Sequence, residues 1–353
     1  MLKQKVFVNL GYRLLAVALA VVFALLLVLV TGAPPFEALG LLVTGSVGSA
    51  RKIMDVVATA VPLLLATAGL LITFSAGLWN IGIEGQITMG AIFTTGALRL
   101  LVDSGLPPGI VIVVGILAGA LGGAAWAGLA GLLKIYGGVS EIFSGLGLNF
   151  VATTVTIWLI FGPWRREGVG SMSGTEPFPD QFALPELSGF RLSPWAALIA
   201  FVAILVVYVL LRGTYVGLKL KAIGRNPRAS FMLGVPTARY MIVAFMLCGV
   251  MAGLAGAVQV LAVYHRLIPS ISSGYGFLGL LVAMLINLNV LWAIPIALFY
   301  AALIVGSIQL PIVLRLDSSL AGVVQGALVL FVLIMDGVRQ RIRERAEGNP
   351  NGS

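Results

Sequence analysis

The stretch Gly77-Leu78-Trp79-Asn80-Ile81-Gly82-Ile83-Glu84-Gly85-Gln86 sets three strongly polar side chains, Asn80, Glu84 and Gln86, on a glycine-interrupted backbone between two long apolar runs. A carboxylate inside a membrane span costs about 2.5–3.5 kcal/mol even on lenient insertion scales, so such residues face a bundle interior or a solute path. Interrupted backbone at that depth is tolerated only where protein buries it or where it lines a cavity. The chemistry open to these groups is hydrogen bonding to a polar solute in passage. The alternative is a polar clasp between helices. Asn149 and Gln259 are further amides within apolar runs, able to bond solute hydroxyls or to clasp a neighbouring helix at about 0.6 kcal/mol. The rings of Trp79 and Phe74 either stack on a flat solute or pack between helices.

The apolar runs that must position these residues dominate the composition. At 59% hydrophobic and 10% charged, with a mean hydropathy of +1.07, the chain lies outside the soluble globular range and reads as an all-α polytopic membrane protein. The net charge of +9 does not argue for a nucleic-acid partner, because the basic residues cluster between and after the apolar runs, as the positive-inside rule requires. Cys248 is the one cysteine and His265 the one histidine. Neither an intrachain disulfide nor a multi-histidine metal site is available.

Run lengths predict about ten membrane helices with both termini cytoplasmic. Residues 14–30, behind Lys3, Lys5 and Arg13, read as an uncleaved first span. Residues 34–50 suit a half-inserted segment, 55–74 a second span, and 87–101 a short third helix after a break near 77–87. Residues 110–133 carry Gly115, Gly119, Gly123 and Gly131 at spacings that let helices approach closely. A short amphipathic turn at 139–146 is expected ahead of a fifth span ending near Phe161. The proline-rich stretch 162–194 reads as an external loop, followed by spans at 195–211, 241–263, 275–288, 291–309 and 318–335. Asn287, Asn289 and Pro311 mark places where the later helices are open to interruption. One transmembrane domain, residues 1–338, thus precedes a basic cytoplasmic tail, 339–353.

No Gly-Lys dipeptide occurs, so the chain lacks the phosphate loop that would bind ATP itself. Glu84 is the one acid well inside apolar surroundings, which thins the case for an ion-coupled carrier. No repeated selectivity-filter loop is present. The connection 212–240 carries Arg212, Lys219, Lys221, Arg225, Arg228 and Arg239 without an acid and is assigned to the cytoplasm. Within it, Asn226 fits an N-cap and Pro227 the first helical turn of a short surface helix reaching Gly234. Such a helix is a natural contact for another protein.

Three separated motifs carry a family resemblance. The first is residues 77–86, above all Asn80-Ile81-Gly82-Ile83-Glu84-Gly85-Gln86; the second is Gly224-Arg225-Asn226-Pro227 with Ala229 and Gly234; the third is Tyr264-His265-Arg266 followed by Gly274-Tyr275-Gly276-Phe277. The chain resembles the membrane permeases of bacterial ABC importers that handle branched-chain amino acids, simple sugars and nucleosides, and is most similar to the nucleoside type. The family often has an Asn-Glu pair and a Leu-Met-Leu-Asn run where this chain has residues 139–149; Glu141 and Asn149 remain. The stretch 286–289 also departs from the common form.

The resemblance implies a transport subunit rather than an enzyme, in a bacterial cytoplasmic membrane, for a nucleoside solute, with a simple sugar such as ribose or galactose as the alternative. An autonomous ion-coupled carrier using Glu84 is the reading from another class. The implied partners are an ABC ATPase subunit, a second permease subunit (a heterodimer, with a homodimer as the alternative) and an extracytoplasmic solute-binding protein. No cofactor is implied on this chain, with ATP and Mg bound at the ATPase. Asn80, Glu84, Gln86, Trp79, Asn149 and Gln259 are then candidates for the solute pathway. Gly224, Arg225, Asn226, Pro227, Arg228, Ala229 and Gly234 are candidates for coupling to the ATPase.

Overall fold

The computed structural model describes residues 34–166, 173–286 and 288–315 without a gap, together with isolated positions in 22–32, at 168 and in 323–338. The expected first span, the last span and the basic tail therefore lie largely or wholly outside the described residues. Among those described there are helices and turns and no strand. The helices are α1 (Pro35–Val47), α2 (Ala50–Ser75), α3 (Ile83–Leu101), α4 (Pro108–Ile135), α5 (Glu141–Phe161), α6 (Pro194–Gly213), α7 (Tyr215–Arg225), α8 (Pro227–Met232), α9 (Thr237–Val258), α10 (Tyr275–Leu285), α11 (Ala293–Ser307) and α12 (Gln309–Leu314). A π-helical turn, Gln259–Tyr264, extends α9.

Six helical stretches among the described residues are long and apolar enough to cross a membrane: Ala50–Ser75, Pro108–Ile135, Glu141–Phe161, Pro194–Gly213, Thr237–Tyr264 and Val290–Leu314. Helix α3 is not among them, because Glu84, Gln86, Thr88, Thr94, Thr95 and Arg99 interrupt its apolar character. It is nonetheless the most enclosed of the helices around the break, with Glu84, Gln86, Thr94 and Thr95 all buried. These four polar groups face protein, while Arg99 near the far end is exposed.

The chain divides into two compact units, residues 57–301 and the remainder. In the smaller unit, Ala38 on α1 and Leu310 on α12 form a buried core with Leu41, Leu42 and Leu314 around it. Gly45 on α1 and Gly306 on α11 also close on each other, since a methyl group on Gly306 would strike the Leu42 carbonyl.

In the larger unit, α4 and α9 pack along facing glycine rows. A methyl group on Gly123 would meet the backbone of Gly249 and Gly253, and one on Gly253 would meet the Gly119 carbonyl. Gly90 of α3 closes on Gly253 in the same way, and Gly256 closes on Ile87 and Ala91. Helix association in a bilayer gains little from burying apolar surface, because lipid is equally apolar; close van der Waals contact has to supply the attraction. The glycine rows make that contact possible. The spacing expected at Gly115, Gly119, Gly123 and Gly131 is thus an α3–α4–α9 seam.

Several boundaries differ from expectation. Residues 139–146 do not form a separate turn: α5 runs unbroken from Glu141, because no proline or left-handed residue interrupts it. The break ends at Gly82 rather than Gln86, so Glu84 and Gln86 sit in the first turn of α3. The basic connection 212–240 is mostly helical, with α9 starting at Thr237, a turn before the apolar run. Residues 309–314 form a helix that includes Pro311.

Replacing Gly253 by Val forces a branched side chain into the α4 backbone. Overpacking of this kind costs about 1–3 kcal/mol, so G253V lowers the unfolding midpoint of the detergent-solubilised protein. G147V, on an open face of α5 with nothing within 4 Å of its Cβ position, leaves the midpoint near wild type.

Candidate functional site

Helix α2 stops at a glycine. Gly77, at φ 72°, takes the left-handed conformation two residues past the end of the helix; its N–H bonds Phe74 O at 3.0 Å and that of Leu78 bonds Thr73 O at 3.0 Å. This pair of bonds is a Schellman motif, and it consumes carbonyls that α2 would otherwise leave bare. Gly77 also lies flat against Gly224 at the end of α7, close enough that a methyl group on Gly224 would run into the Ser75 carbonyl.

Helix α3 then restarts at Ile83 behind Gly82, which has no side chain to cap it. The cap comes from elsewhere. Asn149 of α5 accepts from the Gly85 N–H through Oδ1 at 2.8 Å and donates from Nδ2 to the Ile81 carbonyl at 3.0 Å. One amide thus satisfies an orphan donor of the new helix and an orphan acceptor of the break. Gly145 of α5 closes tightly on Gly82 and brings Asn149 within reach.

Asn80 and Gln86 form a reciprocal amide pair. Asn80 Nδ2 donates to Gln86 Oε1 at 3.0 Å and Gln86 Nε2 donates to Asn80 Oδ1 at 2.9 Å. Asn80 Nδ2 also donates to Cys248 Sγ at 3.0 Å, tying the break to α9. Both amides are buried. The buried Glu84 carboxylate accepts from the Phe277 N–H through Oε1 at 2.9 Å and from the Gly276 N–H and the Ser272 side chain. It caps α10 from another helix, taking up amides that the first turn leaves without an intrahelical partner.

Gln259, in the π-helical turn, donates to the Ile271 carbonyl at 3.2 Å. Trp79 stands apart from the other pathway candidates: it is 44% exposed, its ring tilted against Phe74 at 5.4 Å. The Trp79 backbone N–H contacts Glu141, which is also paired with Lys134. Glu84, Asn149 and Gln259 are therefore engaged in holding backbone, while Asn80 and Gln86 hold each other and Cys248.

The second group lies on the surface connection. Asn226 caps α8, its Oδ1 accepting from the Ala229 N–H at 3.0 Å, with Pro227 in the first turn. Gly234, at φ 80°, ends that helix with the same two-bond motif, Gly234 N–H to Phe231 O and Val235 N–H to Ser230 O. Gly224 and Arg225 close α7 directly before it. Arg225, Arg228 and Ala229 are exposed, and Phe231, Met232 and Leu233 show 68%, 85% and 84% of their surface. Beside them lies a groove of about 470 Å³ lined by Tyr136, Phe231, Pro236, Arg239, Ile242 and Val243.

Residues 52–333 match the family described as branched-chain amino acid transport system / permease component. The chain belongs to this permease family. It is 28% identical to the glucose ABC transporter permease protein TsgB13 of Haloferax volcanii, over 85% of this chain and 80% of that one. It is 23% identical to the guanosine ABC transporter permease protein NupP of Bacillus subtilis, over 92% of this chain and 93% of that one. It is 26% identical to the nucleoside ABC transporter permease protein NupB of Lactococcus lactis, over 84% and 83%. The chain is thus a multi-pass membrane permease of the ABC type, a class that works with ATPase and solute-binding partners.

Sequence reading did not find the partners of the permease's polar residues. Cys248, Ser272 and the Phe277 amide carry no local signal, since each meets its partner across a long stretch of chain. Deleting one member of a buried amide pair leaves the other unsatisfied at about 1–3 kcal/mol, whereas deleting both with apolar groups is nearly neutral. N80L and Q86L each lower stability in a denaturant titration, and the double variant N80L/Q86L loses less than the sum of the two.

Proposed function

We propose that the permease moves nucleosides into the cell as one of two permease subunits of an ABC importer in a bacterial cytoplasmic membrane. The capped surface helix α8 carries this reading. A helix this short has little stability alone, yet both its ends are fixed by Asn226 and Gly234 and its apolar side chains Phe231, Met232 and Leu233 stand exposed. That combination suits a rigid knob seated in another protein. The basic residues of the connection place the knob in the cytoplasm, where the ATPase binds ATP and Mg and this chain binds neither.

In this mechanism Gly224, Arg225, Asn226, Pro227, Arg228, Ala229 and Gly234 hold and present the coupling helix, and a solute-binding protein delivers solute at the opposite face. A second, different permease subunit completes the path. About ten spans with both termini cytoplasmic fit the run lengths and the charge distribution, with residues 339–353 as a tail beyond the membrane domain. Asn80, Glu84, Gln86, Asn149 and Gln259 act on the path by fixing the shape of its wall around the break, with Trp79 as its exposed ring. The guanosine and nucleoside permeases among the relatives support the solute class. The similarity to a glucose permease favours a simple sugar as the second reading. An ion-coupled carrier would need the Glu84 carboxylate free to take up and release a cation, and that group is held by the start of α10.

Vesicles holding the permease with its companion permease, ATPase and binding protein test the proposal. ATP-dependent uptake of labelled adenosine, blocked by guanosine and not by ribose, is the expected result; ribose entry without adenosine entry moves the assignment to a sugar. A229D, placing a charge on the docking helix, lowers uptake about tenfold or more, a loss of about 1.4 kcal/mol or more in productive docking, while the protein remains inserted.

A further inference from the structure

The polar groups first suspected of touching solute are occupied, but another set is not enclosed. Between the π-helical turn and α10 the chain runs from His265 to Gly274 without regular structure. Two clasps pin this segment to the bundle, Gln259 Nε2 to Ile271 O and Ser272 to the Glu84 carboxyl group; Phe277 N–H to Glu84 Oε1 holds the start of α10 after it, and Thr175 and Phe178 bond Leu267 and His265 at its beginning. Just beyond it, Gly279 packs on Ala66 and Thr67, midway along the 26-residue helix α2. The segment is therefore set among spans, where irregular backbone is tolerated only if buried in protein or lining a cavity.

It is not wholly buried. Ser270 and Ser273 are exposed, Tyr264 is half-buried, and the Phe277 ring is 47% exposed. Tyr264 Oη and Ser273 Oγ lie 3.3 Å apart, and Ser273 Oγ donates to the Ser270 carbonyl at 3.3 Å. The backbone that presents them is strained. His265 and Ser273 are both in the left-handed region, at φ 53° and 50°, which non-glycine residues seldom adopt and which clusters at ligand sites.

We propose that the re-entrant segment 264–277 forms a solute-handling site for a ring that bears neighbouring hydroxyl groups, with Tyr264, Ser270 and Ser273 meeting the hydroxyls and Phe277 the ring face. Each serine or tyrosine hydroxyl both donates and accepts, so the set matches a neutral polyol, which presents the same kind of group. An aromatic ring and a few placed polar atoms are the groups by which a protein orients a small molecule. A hexose and the ribose of a nucleoside share this chemistry, so one site serves either solute class. The proposal rests on the importer reading and adds the place where the permease itself handles its solute.

The test uses the assembled complex in proteoliposomes with the variant Ser270→Cys, a substitution at an exposed turn position; the native Cys248 is buried against Asn80. Labelling of the introduced thiol by a small thiosulfonate reagent is followed by mass spectrometry of its peptide, without ATP. Adenosine or ribose in millimolar excess slows labelling by at least about threefold, the protection given by ligand at twice its dissociation constant, and 2′,3′-dideoxyadenosine does not. Y264F and S273A remove the adenosine protection. Absence of protection by both hydroxylated solutes, or equal protection by the dideoxy compound, overturns the proposal. Because labelling needs no transport, its failure is separate from failure of the importer reading, which shows as loss of ATP-driven uptake in the wild-type complex.

Discussion

The structure depends on satisfying the backbone where the second long helix stops and the third begins. Residues 76–82 open a gap in the helical hydrogen-bond ladder between two apolar runs, and no water in a bilayer core fills it. Several of the opened groups meet a specific partner: the carbonyls of Thr73 and Phe74 are taken by the Gly77 turn, and the Ile81 carbonyl and Gly85 N–H by one asparagine. The same logic recurs at α10, whose first amides are taken by Glu84. Polar residues that look expensive in sequence are the means by which two helix starts exist at all.

These clasps also place the break mechanically. Asn80 and Cys248 tie it to α9, Asn149 and Gly145 tie it to α5, and Gly77 rests on Gly224, next to α8. The glycine seam of α3, α4 and α9 keeps those helices within reach, because side chains as short as Asn and Gln bridge only helices that are already close. Packing and polar satisfaction thus support each other. Removing the seam would separate the amides from their partners, and removing the amides would leave buried backbone unpaired beside a well-packed seam.

What was legible in the sequence was what local chemistry determines. The Asn226-Pro227 start and Gly234 stop of α8 follow from residue type alone, as do the glycine rows and the membrane class. The start of α3 was not legible, because Gly82 lacks a capping side chain and its cap, Asn149, lies 64 residues from the amide it holds. Glu84 was recognised as unusual, but its role depends on an amide 193 residues away. The run 139–146 looked separate from its span because glycine and serine weaken the apolar pattern, while packing on Gly82 and a pairing with Lys134 keep it helical. The segment 264–277 is only partly legible in sequence: Gly274 marks one of its left-handed positions, but the other two are a histidine and a serine.

The most direct test of this account is hydrogen–deuterium exchange across residues 79–87 and 275–279 in lipid nanodiscs, for wild type and N149A. If the side-chain clasps close the broken backbone, the wild-type peptides exchange as slowly as the core of α4, and N149A speeds exchange at 79–87 while leaving α4 unchanged. Rapid exchange at 79–87 in the wild type, or no response to N149A, would contradict it.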